Sequence, residues 1–321
     1  MVQLPTEATE AISVIWNPKQ PLWLPVPEKI VKTAPPPQVE NPPISECEAR
    51  VGGHRLRYLR AGSGPPLVLI HGLMGYSFSW RFNIPALAQH FTVYAPDMPG
   101  IGFSDRPPGL DCRLQACTER MLEWLDQLGL PSLNLLGTSH GGGIACAMTA
   151  MALERGHPRV ERLILVASIN PWSHHGRKRI ALLSNPLGAF AFRQTFPYIR
   201  RVHSYFLRRM YGDPARVTQA TLNGYAAALA QPRTAEYGLG VVHSWHAGLD
   251  ELRALYPRLR GIPIQLIWGD RDLAVSPQSA YEVQRALPGS ELVMLPGIGH
   301  MPYEETPEQF NRILLEFLGR A

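Results

Sequence analysis

The sequence contains few cysteines and no long apolar run, and these two absences exclude several classes of protein. Four of its 321 residues are cysteine, too few for the disulfide framework of a small secreted protein, and none forms a C-x-x-C zinc pair. We therefore expect four free thiols and a cytoplasmic location. No run of 18 apolar residues occurs, so no transmembrane helix is expected. The N-terminus begins with acidic rather than basic residues, which is not typical of a signal or transit peptide.

Acidic residues are missing from one segment of the chain, the stretch between Glu161 and Asp213. Eight basic residues lie there between positions 177 and 209, namely Arg177, Lys178, Arg179, Arg193, Arg200, Arg201, Arg208 and Arg209. The formal net charge of +5 therefore originates in this segment. Three interpretations remain open: a solvated face, a patch for an anionic lipid surface, or a guide for a negatively charged substrate. Nucleic acid is not an expected partner, because no recognised binding module accompanies the charge.

Residues 1–45 are rich in proline, most densely in "KTAPPPQVENPPI". Such a composition favours an extended or polyproline II conformation over packed structure, so we predict an N-terminal extension. Trp16 and Trp23 could pack on the main domain or contact a partner or membrane surface. The sequence does not decide between these roles.

From Cys47 onward, short apolar runs alternate with helical patterns. The predicted strands include "PPLVLIHG", "FTVYAPD", "LNLLG", "VERLILVAS", "PIQLIWGD" and "SELVML". Strands that alternate with helices indicate parallel pairing with right-handed crossovers. The alternation stops after Ser168 for about 80 residues of aromatic-rich helical pattern. We therefore predict one α/β domain in two parts, residues 46–169 and 248–321, separated by a helical cap at residues 170–247.

The stretch "GTSHGGG" places Ser139 between Gly137 and Gly141, after the strand "LNLL" and before a predicted helix. This is the context of a strand-to-helix nucleophile elbow, in which glycines give room for a strained turn that exposes the serine hydroxyl. The alternative is a glycine turn whose serine caps the helix. The motif alone does not distinguish the two.

Two later residues favour the nucleophile. Asp272 in "LIWGDRDLAVSP" and His300 in "LPGIGHMPYEETPEQF" each follow a predicted strand. A serine needs a base to remove its proton, and the base needs a third group to orient it. Taken singly, His300 could be a surface histidine and Asp272 a turn carboxylate. Their joint occurrence at successive strand ends favours a Ser139, Asp272 and His300 triad.

From about residue 50 to its end, the chain resembles the α/β-hydrolase superfamily. The motifs that carry the resemblance are "LVLIHGLMG", "YAPDMPGIGFSDRP", "GTSHGG", "IWGDRDLAVSP" and "GIGHMPYEETPEQF". The similarity is greatest to esterases, dehalogenase-like hydrolases and carbon–carbon bond hydrolases with a helical cap. It implies an α/β fold with a mostly parallel central sheet flanked by helices, and an inserted helical cap. Such motifs specify the fold much better than the substrate.

The resemblance also implies a role for each matched residue. Ser139 is expected to be the nucleophile, His300 the base and Asp272 the orienting acid. Asp270 competes for the last role, but the second carboxylate of the motif is the one that the family uses, so Asp270 is expected to stabilise the turn. Some relatives place the acid after the preceding strand of the sheet, where this chain has Asn170.

The oxyanion hole is expected from the backbone N–H groups of Leu73 and His140. His71 is expected to brace the loop that contains Leu73. The side chains of His140, Met74 and Trp172 are predicted to contact substrate, although His140 could instead lie under the cap with its hydrogen bonds satisfied. No cofactor and no metal ion is expected.

The chain departs from its relatives at three positions. An aspartate in place of Ser139 would indicate haloalkane or epoxide chemistry through an alkyl-enzyme ester. The "HGLMG" loop replaces the H-G-G-G-P loop typical of carbon–carbon hydrolases. His140 stands where relatives often have methionine or another apolar residue. The first two departures favour an esterase.

The predicted cap contains eight aromatic residues that could line an apolar pocket or hold the cap together, namely Trp172, Phe190, Phe192, Phe196, Tyr198, Tyr205, Phe206 and Tyr211. We predict a serine hydrolase of small-molecule carboxylic esters with a hydrophobic acyl or alcohol part. The same triad also suits a carbon–carbon hydrolase of ring-fission products, an acyltransferase or a thioesterase. A ligand-binding or peripheral membrane protein is the non-enzymatic alternative. The oligomeric state is left open.

Overall fold

The computed structural model describes residues 42–320, apart from the side chains of residues 199 and 200. The predicted N-terminal extension with its two tryptophans lies almost entirely outside the described residues. Strand β1 begins at Ile44, inside the range assigned to that extension.

Eight strands form one sheet in the order β1-β2-β4-β3-β5-β6-β7-β8. Their bounds are Ile44–Val51 (β1), His54–Ala61 (β2), Pro66–Ile70 (β3), Thr92–Pro96 (β4), Ser132–Thr138 (β5), Arg159–Val166 (β6), Ile264–Gly269 (β7) and Glu291–Leu295 (β8). Strand β2 pairs antiparallel with both β1 and β4, and every pair from β4 to β8 is parallel. The predicted mostly parallel α/β-hydrolase sheet is confirmed.

Twelve α-helices and four short 3-10 segments connect the strands of the described chain. The helices are Ile84–Leu87 (α1), Leu114–Leu128 (α2), His140–Arg155 (α3), Arg177–Ser184 (α4), Pro186–Ile199 (α5), His203–Arg208 (α6), Gln219–Leu229 (α7), Thr234–His243 (α8), Trp245–Leu255 (α9), Pro277–Ala286 (α10), Pro302–Glu305 (α11) and Pro307–Leu318 (α12). Helix α2 ends where the sequence predicts, at Gly129, which adopts a left-handed conformation with φ 62°.

The apolar strands separate two hydrophobic layers. In β3, Val68 and Ile70 belong to the layer that contains α2 and α3, whereas Leu67 and Leu69 belong to the layer that contains α12. Side chains of a strand alternate between the faces of its sheet, so a continuous apolar run is explained by cover on both sides. This cover fixes the strand ends from which the candidate site is built.

Helices α4 to α9 lie in the chain between β6 and β7, where the sequence predicts a cap. The predicted boundary between residues 247 and 248 falls within α9, which runs from Trp245 to Leu255 and packs against α3. The domain division therefore stays a prediction, and α9 belongs to the core and to the inserted segment alike.

Two expectations from composition are met within residues 42–320. The four cysteines are free thiols, three of them buried. In this part of the chain no helix has both the length and the apolar character needed to cross a membrane.

Candidate active site

Ser139 lies at the junction of β5 and α3. Its backbone has φ 53° and ψ −122°, a left-handed conformation that a residue with a side chain rarely adopts. The Ser139 N–H donates to the Val166 carbonyl at 2.9 Å, and the N–H of Ile169 donates to the Ser139 carbonyl at 3.0 Å. These bonds to the neighbouring strand hold the strained residue in place. Ser139 is half-buried, whereas the residues on either side of it are buried.

Close backbone packing explains the glycines on either side of Ser139. A Cβ atom on Gly137 would lie 2.3 Å from the Gly141 carbonyl oxygen, and one on Gly141 would lie 2.2 Å from the His71 carbonyl oxygen. Neither distance is tolerated by a real side chain. The "GTSHGGG" stretch is therefore a strained elbow that packs against the end of β3. A serine that only caps the helix does not explain this packing, and the Ser139 side chain forms no cap hydrogen bond among the described residues.

His300 and Asp272 form a buried pair. His300 Nδ1 lies 2.8 Å from Asp272 Oδ2, and both residues are buried. The other carboxylate oxygen, Oδ1, accepts the N–H groups of Ala274 at 2.7 Å and Val275 at 2.9 Å. With its carboxylate fixed on both oxygens, Asp272 holds the imidazole of His300 in one orientation.

The two competing positions have structural partners of their own. Asp270 is exposed, and its Oδ1 accepts the N–H of Gly297 at 2.7 Å. Asn170 is buried and donates to the Ser168 carbonyl and the Ser279 hydroxyl, both at 3.0 Å. Asp270 therefore fixes the loop that leads to His300, and Asn170 fixes the loop after β6.

His71 braces the loop after β3, in agreement with its predicted role. Its Nε2 accepts the Met98 N–H at 3.0 Å, so Nδ1 carries the proton and donates to the Gly72 carbonyl at 2.8 Å. Burial lowers the pKa of this histidine, which keeps it neutral. A Cβ on Gly72 would lie 3.0 Å from the Ser139 Cβ, so the loop that contains Leu73 runs directly beside Ser139.

The predicted oxyanion donors lie on elements that meet at Ser139. Leu73 directly follows Gly72, whose contact with Ser139 was just described. The N–H of His140 is among the first N–H groups of α3, which have no acceptor within their own helix. The positive end of that helix also favours negative charge beside Ser139.

The three predicted substrate contacts lie at the interface with the inserted helices. The imidazole of His140 stacks on Trp245 of α9, with ring centroids 6.2 Å apart, and Trp172 stacks on Tyr256 at 5.5 Å. The sulfur of Met74 would lie 3.3 Å from a Cβ on Gly238 of α8. Met74 and Trp172 are half-buried, whereas His140 is buried. Burial lowers the pKa of His140 to about 4, and its Nδ1 has no hydrogen-bond partner among the described residues.

A small cavity lies beside Asp272. Its wall includes Ile169, Trp245, Leu249, Ala274 and Val275. The same wall contains the two residues whose N–H groups hold the Asp272 carboxylate and the tryptophan that stacks on His140. The remaining lining residues, Asn170, Ser173, His175, Arg177 and His246, are polar or charged, so the cavity is mixed in character.

The sequence analysis missed two buried glutamates in the motif that follows His300. Glu305 accepts the N–H groups of Gly212 at 2.9 Å, Asp213 at 2.8 Å and Gly299 at 2.8 Å. The N–H of His300 itself donates to the Met210 carbonyl at 2.6 Å. Glu305 thus ties the loop before His300 to the inserted segment.

Glu304 makes a second connection to the inserted helices. It accepts the hydroxyls of Tyr211 and Tyr225 and pairs with Arg81 at 2.8 Å. The desolvation of the two tyrosines and the nearby carboxylate raise the pKa of both hydroxyls. The two adjacent glutamates in the motif were visible in the sequence. Their roles depend on contacts with residues far away along the chain, which the motif does not reveal.

Four of the eight cap aromatics fit neither alternative from the sequence, a pocket lining or a contact that holds the cap together, because they are exposed. Phe190, Tyr198, Tyr205 and Phe206 are 58%, 66%, 58% and 44% exposed. Tyr211 is buried against Glu304, while Phe192 and Phe196 pair with each other at 5.4 Å. Aromatic content in a helical pattern does not indicate which face a neighbour covers, which is why the expectation failed.

Comparison with known proteins decides the family. A profile of the alpha/beta hydrolase fold matches residues 65–307. The chain belongs to the α/β-hydrolase family. An uncharacterized protein of Mycobacterium tuberculosis is 30% identical to this α/β hydrolase over 281 residues, which is 84% of this chain and 79% of the relative.

Two further similarities show the range of the family. Haloalkane dehalogenase 2 of Mycobacterium tuberculosis is 28% identical over 277 residues, covering 83% of this chain and 92% of the relative. The solved structure of a 2-hydroxy-6-oxo-6-phenylhexa-2,4-dienoate hydrolase from a Rhodococcus species superimposes with a TM-score of 0.74 at 22% identity, covering 87% of this chain and all of that one. At 22% identity, the similarity to the dienoate hydrolase shows only that the two proteins share a fold. The family makes this protein a hydrolase, and its own site must indicate the bond that it cleaves.

Proposed function

We propose that this protein is a serine hydrolase that cleaves carboxylic esters with a hydrophobic acyl or alcohol part through an acyl-enzyme. The observation that carries the proposal is the buried pair of His300 and Asp272, 2.8 Å apart, on loops of the same sheet edge as the strained Ser139. A base that a fixed carboxylate orients toward a serine hydroxyl is the arrangement that activates serine.

The proton moves from Ser139 to His300 in the first step. Because Nδ1 of His300 donates to Asp272, Nε2 is the nitrogen with the free lone pair. It accepts the hydroxyl proton while Ser139 Oγ attacks the ester carbonyl, and Asp272 stabilises the resulting imidazolium. The alcohol leaves with the proton from Nε2. Water then repeats the sequence on the acyl-enzyme.

The N–H groups of Leu73 and His140 would hold the negative oxygen of the tetrahedral intermediate. Each such donor contributes about 3 kcal/mol in a site that excludes water. The lowered pKa of the His140 side chain to about 4 keeps it uncharged at neutral pH. The stabilisation of the oxyanion then comes from the two backbone N–H groups and not from a charged imidazole.

The apolar character of the neighbouring side chains supports a hydrophobic substrate. Leu73 and Met74 are half-buried in the loop that runs beside Ser139, and the Met74 sulfur lies close to Gly238 of α8. Half-buried apolar groups beside a reactive serine gain contact area when an acyl or alkyl chain covers them.

Dehalogenase chemistry is not supported, although one similar protein is named for it. An alkyl-enzyme ester forms when a carboxylate displaces a leaving group from carbon. Ser139 occupies the elbow of this chain, and its hydroxyl is suited to attack on a carbonyl instead.

Hydrolysis of a p-nitrophenyl ester series from acetate to palmitate tests this proposal. We expect Ser139→Ala to lower kcat by at least about 1,000-fold on every ester that the wild type cleaves. Ser63→Ala, at an exposed position, is the control and should keep full activity. Inactivity of the wild type on every ester would contradict the proposal. The dienoic ring-fission substrates would then be assayed with the same variants.

A further inference from the structure

Helix α5 exposes apolar side chains on the side that faces solvent. Leu187 is 76% exposed, Phe190 58% and Tyr198 66%, and their spacing of three and eight residues places them on one helical face together with Pro197. The opposite face also carries apolar residues, including the buried Ala189, and packs against α4 and α8. A helix that is apolar on both sides normally has both sides covered. One side of α5 has no cover within residues 42–320.

Neighbouring elements in the chain also expose large apolar side chains. We define the cap surface by its exposed apolar residues, which are Leu182, Leu187, Phe190, Tyr198, Val202, Tyr205 and Phe206. Seven large apolar side chains in residues 182–206 are far more than the scattered exposed residues found elsewhere on a folded domain. Exposed apolar patches of this kind mark sites of interaction.

Positive charge surrounds the cap surface. Arg201 lies over the Tyr198 ring at 5.5 Å and Arg209 over the Tyr205 ring at 5.7 Å, and Arg193 is exposed on α5. No acidic residue lies between Glu161 and Asp213. In the described part of the chain, none of these three arginines forms an ion pair. The partner must therefore supply the negative charge.

The charge pattern distinguishes between two occupants. A second copy of this chain in a two-fold dimer would place the same cationic surface against itself, which like charges disfavour. An anionic phospholipid surface offers phosphate groups to the arginines and an apolar interior to the leucines and aromatic rings. We propose that the cap surface is a docking site for anionic lipid bilayers.

The geometry suits binding in the plane of the bilayer interface. Tyr and Phe rings with nearby Arg side chains match the boundary between headgroups and acyl chains, because each ring is apolar and each guanidinium remains among phosphates. This inference is independent of the proposed ester reaction, since it involves neither Ser139 nor its partners.

Sedimentation of the full chain with lipid vesicles tests the proposal. We expect binding to vesicles of equal phosphatidylglycerol and phosphatidylcholine, weak binding to phosphatidylcholine alone, and loss of binding at high salt. Arg193→Gln, Arg201→Gln and Arg209→Gln combined should weaken the partition coefficient by about 100-fold. The control removes as many charges from the exposed Arg253, Arg260 and Arg312 and should weaken it by less than about 5-fold.

A second pair of variants tests the apolar contribution. Leu187→Ser with Tyr198→Ser should reduce binding at least about 10-fold, whereas Leu153→Ser with Tyr281→Ser, of the same types and comparably exposed at 47% and 51%, should not. Equal loss in both pairs, or equal binding to neutral vesicles, would overturn the proposal. Sedimentation velocity in the absence of lipid is measured on the same samples. A wild-type dimer that only the Leu187 and Tyr198 variant dissociates would also overturn it, in favour of self-association.

Discussion

Beyond the carboxyl ends of β7 and β8, Asp272 and His300 are buried and fixed by hydrogen bonds, whereas on α5 and α6 large apolar side chains face solvent. Asp272 uses both carboxylate oxygens and lies almost wholly out of water, while Leu187 of α5 is 76% exposed. The first region is determined by close packing within the chain. The second is left open by that packing, and the lipid surface proposed above would cover it.

The contrast implies that substitutions of similar size have very different effects in the two regions. Near Ser139, an added methyl group would collide with fixed backbone, and the loss of a polar group would leave a buried charge without its partner. On the cap surface, substituted side chains are surrounded by solvent, so similar substitutions should affect stability little. The following predictions run from the largest expected effect to the smallest.

The largest effect is expected from Asp272→Asn. An amide cannot hold the required His300 tautomer, so ester turnover should fall about 10,000-fold with little change in KM. Asp270→Asn is the matched control in the same loop, because Asp270 bonds the Gly297 N–H and not His300. Steady-state kinetics of both variants measure the difference. Equal losses would show that Asp272 has no special role.

Gly141→Ala should destabilise the fold by about 4 kcal/mol or more. The added Cβ would lie 2.2 Å from the His71 carbonyl oxygen, in backbone that cannot move without disturbing the elbow. At Gly248 on α9 the corresponding Cβ would lie an ordinary 3.5 Å from Leu114, so Gly248→Ala should be neutral or stabilising. Urea unfolding gives both free energies. A mild effect at Gly141 would refute the close packing of the elbow.

His140→Met should make the protein more resistant to acid. Burial lowers the pKa of His140 to about 4, whereas an unfolded histidine titrates near 6.5. Between these values the unfolded chain binds a proton that the folded chain does not, so the free energy of unfolding decreases as the pH falls. The loss is about 2 kcal/mol at pH 5.

Unfolding free energies at pH 7.5 and pH 5 test this assignment. The variant should lose about 2 kcal/mol less than the wild type over this interval. His174→Met, at an exposed position, is the control and should follow the wild type. An identical pH dependence in all three proteins would contradict the buried, neutral state of His140.

The smallest effect on stability is expected on the cap surface. Leu187→Ser and Tyr198→Ser should each change the free energy of unfolding by less than about 0.5 kcal/mol, because both side chains are already exposed. Thermal unfolding of each variant is the measurement. A destabilisation above about 2 kcal/mol would show that part of the chain covers these residues.

Local sequence patterns were sufficient for the parallel strands β3 to β8, but not for β1, which begins inside the predicted extension. The apolar runs of β3, β5 and β7 predict buried parallel strands, and the ends of these strands place Ser139, Asp272 and their neighbours on one edge. Each of these inferences needs only a few consecutive residues and the geometry of a parallel sheet.

Long-range contacts were not predictable in the same way. Glu305 acquires its role from the N–H groups of residues 212 and 213, about 90 positions away, and no local pattern identifies such partners. Phe190 and Tyr198 were expected to be covered because aromatic residues usually are. The packing of α5 against α4 and α8 buries its other side and leaves these two rings exposed.

Covalent labelling of the folded protein with a fluorophosphonate probe tests the central claim most directly. Such probes react with a serine that a neighbouring base activates, so we predict a single adduct on the peptide that contains Ser139. The adduct should be absent in Ser139→Ala and strongly reduced in Asp272→Asn. A folded wild-type protein that remains unlabelled, or one labelled at another serine, would contradict Ser139 as the activated nucleophile.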